Sequence, residues 1–165
     1  MKKSTIIVGL LAATVLVGVM LSGRSTEGVV SSPAESAVKS ALSAPNTLYD
    51  FGVILMKDGN VAHRFTVTNP TDKDLMVERL STSCMCTTAY IIEGASRNGP
   101  FGMAGMGYGT KIKMIFKPRE SKDVEVVFDP NAHGPAGVGP MQRFVHLTDA
   151  AGGKLQLEIR GLVKP

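Results

Sequence analysis

The chain has 165 residues, 44% of them hydrophobic and 19% charged, which suits one folded domain with an appendage and excludes a wholly disordered protein. The formal net charge is +4, and half of that excess lies before residue 45, where Lys2, Lys3, Arg24 and Lys39 face only Glu27 and Glu35. No later basic run could track a phosphate backbone, so nucleic acid is not an expected partner.

In chain order, Lys2 and Lys3 precede "STIIVGLLAATVLVGVMLS", residues 4–22, which carry no charge. About 20 apolar residues cross a bilayer as a helix, whereas a cleavable signal core runs to only ~7–15. No A-x-A cleavage site or lipobox cysteine follows. Residues 1–22 are therefore expected to be a transmembrane signal anchor, with a cleaved signal peptide as the alternative. The positive-inside rule leaves Lys2 and Lys3 in the cytoplasm and exports the rest, so the expected location is the cell membrane, or a secreted or periplasmic one if the leader is removed. Residues 23–45, rich in Ser, Ala, Gly and Pro, read as a flexible tether, although "AESAVKSAL" has some helical character.

From Asn46 the hydrophobic period becomes two. "TLYDFGVI" forms a first short strand. "VAHRFTVTN" puts Val61, His63, Phe65 and Val67 on one face. "NPTDKD" is a turn, and "LMVERLS" and "CMCTTAYII" follow as strands. "KIKMIFKP" sets Ile112, Met114 and Phe116 against Lys111, Lys113 and Ile115. "DVEVVFDP" aligns Val124, Val126 and Phe128, "MQRFVHLT" is another strand, and "KLQLEIRG" turns Leu155, Leu157 and Ile159 inward. Seven or eight short alternating strands with no helix after residue 45 predict an all-β, immunoglobulin-like antiparallel sandwich over residues 46–165. Two segments, 93–111 and 129–143, read as long loops, and such loops tend to be functional or mobile.

"YDFG" at 49–52, "HRFTVTNPTDKDL" at 63–75, "STSCMCTTA" at 81–89, "VEVVFDP" at 124–130 and "LQLEIRGLV" at 155–163 together resemble the bacterial domain of unknown function fifteen seventy-three. This family is immunoglobulin-like and related to the domains of the ciliary protein hydin. The resemblance covers residues 48–163 and implies a sandwich in the cell envelope, with no established activity. Met85 stands where members have the glycine of C-G-C-T, and "PRES" at 118–121 replaces their P-G-E turn. Glycine takes φ > 0 freely and Met does not, so Met85 argues against a tight turn at the cysteines.

Cys84 and Cys86 are the only cysteines. In an extended strand residues i and i+2 lie ~6.6–6.8 Å apart, at the limit of the ~4.4–6.8 Å a disulfide spans, so a bond there needs a kink. Three readings stay open: a disulfide or redox-active dithiol, packed thiols, or metal ligands. Export favours the first. Copper is the metal alternative, held by Cys84, Cys86, Met103, Met106 and His133, because thiolate and thioether select Cu(I). Zinc lacks the ligand spacing. His63 and His146 read as sheet histidines. No G-x-S-x-G elbow or phosphate-binding loop is present, and no catalytic residue is expected. The expected function is therefore non-enzymatic: a membrane-anchored domain for protein interaction or envelope assembly, with no cofactor. An unknown envelope protein would dock on Phe101, Met103, Met106, Tyr108 and His133. The alternative is a small thiol-redox or copper-handling envelope protein using the cysteine pair.

Overall fold

The computed structural model describes residues 38–165. The expected membrane span and most of the expected tether lie outside these residues. Among those described, no helix is long and apolar enough to cross a membrane.

Among the described residues, nine strands form in chain order: β1 (Leu48–Leu55), β2 (Val61–Thr68), β3 (Leu75–Thr82), β4 (Thr87–Glu93), β5 (Ser96–Phe101), β6 (Lys111–Phe116), β7 (Ser121–Phe128), β8 (Gly139–Asp149) and β9 (Lys154–Lys164). They make two sheets, in the orders β1-β9-β8-β3-β6 and β2-β7-β4-β5. Every pairing is antiparallel except that of β1 with β9. The alternation read from the sequence is what closes the sandwich. Phe65 and Val67 of β2, Val124, Val126 and Phe128 of β7, and Leu155, Leu157 and Ile159 of β9 are all buried between the sheets. Each such side chain contributes about 1.5–3 kcal/mol on leaving water. On the outer face of β6, Ile115 is exposed beside Lys111 and Lys113, as its phase requires.

The first half of the expected loop 93–111 is a hairpin instead. β5 turns back at Gly94, whose φ is +56°, and pairs with β4 from Glu93↔Ser96 to Ala89↔Phe101. Its sequence, "SRNGPF", has no apolar alternation because five of its six residues are exposed. An edge strand held by backbone pairing leaves no hydrophobic period to read. The second expected loop is shorter than 129–143, since β8 begins at Gly139 after a 3₁₀ turn at Gly134–Gly137.

The expected tether is also corrected, at its C-terminal end. Ser40 N donates to Lys154 O at 3.1 Å, Lys154 N to Val38 O at 2.7 Å, and Ser43 and Thr68 exchange two backbone bonds at 2.8 and 2.9 Å. Leu42 lies in the core at 2% exposure. Residues 38–43 thus strap β9 of one sheet to β2 of the other, and the domain begins before residue 46. The segment "KSALS" carries one buried anchor, too little to announce a strand.

Candidate functional site

The chain leaves β3 at Thr82 and re-enters the other sheet at Thr87, so four residues must cross between sheets. The Thr82 hydroxyl lies 2.9 Å from Cys84 O and 3.0 Å from Thr87 O. Thr87 N donates to Cys84 O at 3.2 Å, closing a turn over residues 84–87. Ser83 is held to β8 from both sides: its N–H donates to Phe144 O at 2.9 Å, and its Oγ accepts from Phe144 N at 2.9 Å. This turn brings the Cα atoms of Cys84 and Cys86 to 5.2 Å, well inside the extended separation, and the two residues form a disulfide. Met85 takes the bend at negative φ, because Arg119 is the only non-glycine residue with positive φ among those described. The expectation that Met85 opposes a tight turn is therefore corrected.

The two sulfurs have different surroundings. Cys86 is buried, at 2% exposure, and its Sγ accepts from Arg143 Nε at 3.1 Å. Cys84 is half-buried, and its Sγ lies 3.2 Å from Nε2 of the exposed His133. His133 is positioned by the "FDP" segment. Asp129 N donates to Cys86 O at 2.9 Å, tying that segment to the cysteine turn. Asp129 Oδ1 accepts from Asn131 N at 2.8 Å, and Asn131 Nδ2 donates to Met56 O at 2.9 Å. Cys84 Sγ, Cys86 Sγ and a His133 ring nitrogen all lie within 4.8 Å of one another, a set that could hold a metal ion once the disulfide is reduced.

The glycine-rich loop reaches the same end of the sandwich, since Thr82 N donates to Gly102 O at 3.2 Å. Met103, Met106 and Tyr108 are 37%, 44% and 42% exposed, and Met85 is 45% exposed on the cysteine turn itself. Tyr108 lies over Gly102, where a Cβ would meet its ring at 2.6 Å. Phe101 ends β5 and is partly buried, packing against the core. His63 stacks on Tyr49 at 3.6 Å, and burial lowers its pKa from the usual 6.5. Neither it nor His146 is part of the Cys84–Cys86–His133 cluster. Arg143 was not anticipated. Its strand phase is ordinary, and only the pairing of β8 beside the turn brings its guanidinium to a sulfur.

The sequence model of the family described as "Protein of unknown function (DUF1573)" matches residues 42–111. Over that span the chain resembles a DUF1573 domain. The match includes the strap residue Leu42, the cysteine turn and the glycine-rich loop. No curated protein sequence matches this chain. Solved structures share its fold. A protein of unknown function from Porphyromonas gingivalis W83 is 14% identical, with 80% of this chain and 51% of that one covered at a TM-score of 0.52. A family 123 glycoside hydrolase from Clostridium perfringens is 6% identical, with 72% and 23% covered at 0.51. The ASH/PapD-like domain of human CEP192 is 14% identical, with 82% and 95% covered at 0.42. The chain spans about half the length of the first of these and about a quarter of the second.

Proposed function

We propose that this immunoglobulin-like domain works in the bacterial envelope, carried at the membrane by its N-terminal segment, and exchanges disulfides with the thiols of a docked protein. The observation that carries the reading is the asymmetry of the pair, with an accessible Cys84 beside His133 and a buried Cys86 beside Arg143. A partner thiolate attacks Cys84 Sγ, the S–S bond breaks, and its electron pair leaves on Cys86 as a thiolate that the Arg143 cation stabilises. A second partner thiolate then attacks the partner's own sulfur in the mixed disulfide and expels Cys84 as a thiolate beside the imidazole. The partner ends as a disulfide and this domain as a dithiol, with two electrons transferred. Exposed Met85, Met103, Met106 and Tyr108 supply apolar surface for docking next to the sulfurs.

A purely structural disulfide has little to do here. Cys84 and Cys86 are two residues apart, and closing so short a loop contributes only about 1.6 kcal/mol by the chain-entropy relation. Equilibration in glutathione buffers followed by thiol alkylation tests the reading. A midpoint between roughly −270 and −120 mV, the range of exchange proteins, is expected. A bond that stays oxidised below roughly −300 mV, as structural disulfides do, would overturn it. Cys86→Ser is expected to trap mixed disulfides through Cys84, and Cys84→Ser to trap none.

A further inference from the structure

We infer that the reduced form of this turn is a Cu(I) site made of Cys84 Sγ, Cys86 Sγ and His133 Nε2. The inference rests on the reading above in one respect, that the disulfide opens to a dithiol. The three donor atoms come from two segments that the fold already locks together through the Asp129 N–Cys86 O bond at 2.9 Å. They lie within 4.8 Å of one another, and Cys84 Sγ to His133 Nε2 is 3.2 Å. Sulfur and imidazole ligands ~2.0–2.3 Å from one ion in a trigonal plane stand about 3.5–4 Å apart, so side-chain rotation alone completes the set. The backbone needs no rearrangement, because the turn holds the cysteine Cα atoms at 5.2 Å.

Ligand type and charge select the ion. Two thiolates and an imidazole are soft donors, which leaves Cu(I) and Zn(II) as candidates. Structural zinc takes four protein ligands, and this cluster has three among the described residues, so zinc here would need a water in its fourth position. With a monovalent ion the bis-thiolate centre carries net −1, which the Arg143 guanidinium at 3.1 Å from Cys86 Sγ offsets. With zinc the centre is neutral and the cation gains no partner. The chemistry balances in two steps. A partner dithiol supplies two electrons and two protons, becoming a disulfide while Cys84 and Cys86 become thiols. Cu(I) then displaces both thiol protons to solvent. The oxidised pair offers no thiolate, so binding is gated by redox state.

The test uses the full chain, reduced anaerobically with a phosphine, and Cu(I) titrated in competition with bicinchoninate. One Cu(I) per chain is expected. Binding should be lost in Cys84→Ser and in Cys86→Ser. Arg143→Gln, which removes a hydrogen bond to a ligand, should weaken it roughly 10–100-fold. His133→Ala should weaken it and remove the single nitrogen scatterer from the X-ray absorption spectrum, which otherwise reports two sulfurs and one nitrogen. Met103→Leu and Met106→Leu should leave affinity unchanged. No competition by the reduced wild type, His133→Ala equal to wild type, or Zn(II) displacing Cu(I) would overturn the inference. Because the phosphine opens the bond regardless of its potential, a failure here leaves the exchange reading standing. A failure of the glutathione titration leaves this site testable.

Discussion

Arg119 sits at φ +63°, the glycine position of the family's P-G-E turn, and Met85 sits at the glycine position of C-G-C-T with negative φ. The two departures therefore have opposite consequences. At Arg119 the left-handed backbone costs ~1–2 kcal/mol, partly offset by its exposed ion pair with Asp72 at 2.8 Å. Arg119→Gly is expected to raise unfolding free energy by about 0.5–1 kcal/mol in urea titration, and a fall would mean the ion pair outweighs the strain. Met85→Gly restores the family residue but relieves nothing, and should lower stability by about 0.5–1 kcal/mol through backbone entropy. Asn69 is fully buried. Its Nδ2 reaches Lys73 O, Phe116 O and Lys117 O at 2.7–3.0 Å, and its Oδ1 accepts from Thr71 N and Oγ1. Asn69→Ala leaves buried carbonyls unpaired and should cost about 3 kcal/mol, read from the same titration.

At the scale of elements, the strap 38–43 and the bulge of β1 close the two ends of one edge. Asp149, nearly buried, accepts from the Ser40 hydroxyl at 2.6 Å and from Ala151 N and Gly153 N at 3.0 and 2.8 Å, so the strap is pinned to the β8–β9 turn. Leu42→Ala is expected to destabilise the domain by about 2–5 kcal/mol, the range for a leucine removed from a packed core. No change in the denaturation midpoint would mean that residues 38–45 behave as tether after all. In β1 the register shifts between Asp50 and Val53, around Gly52 at φ +67°. A Cβ on Gly161 of β9 would come within 3.0 Å of Gly52 O and 2.9 Å of Ile54 Cδ1. The glycines of "YDFG" and "IRGLV", far apart in the chain, thus serve one close strand approach.

For the whole molecule, pH acts through histidines and carboxylates in the same direction. His63 is held below 6.5 by burial, and His146 by burial and then by the charge of Lys154. A depressed folded pKa means the unfolded chain binds the proton more readily. Their contribution is complete above pH 6.5 and is lost as pH falls through the lower folded values. Burial works against the charge of Glu125, but Arg97 at 2.6 Å and Arg64 at 3.1 Å outweigh it and lower its pKa from 4.5. That contribution is lost only below pH 4.5. Thermal unfolding should therefore show stability declining in two stages on acidification. His63→Phe with His146→Gln should flatten the first stage and leave the second.

Strand alternation was enough to determine the sandwich, because a half-buried strand must repeat every two residues and those repeats recur from residue 61 to residue 159. The hairpin strand β5 and the strap escaped that reading, since both are held by backbone hydrogen bonds that leave no side-chain period. "TSCMCTT" disclosed its cysteines but not their geometry, which depends on Thr82 and Thr87 bending the chain between two sheets. Whether His133 stands beside the sulfurs was likewise undecided by spacing. Tertiary structure decided it: β7 pairs with β4 and delivers the "FDP" loop to Cys86, while β8 lies beside the turn and brings Arg143 to the second sulfur. Contacts between residues about 50 positions apart follow from sheet pairing, and no local pattern in the chain encodes them.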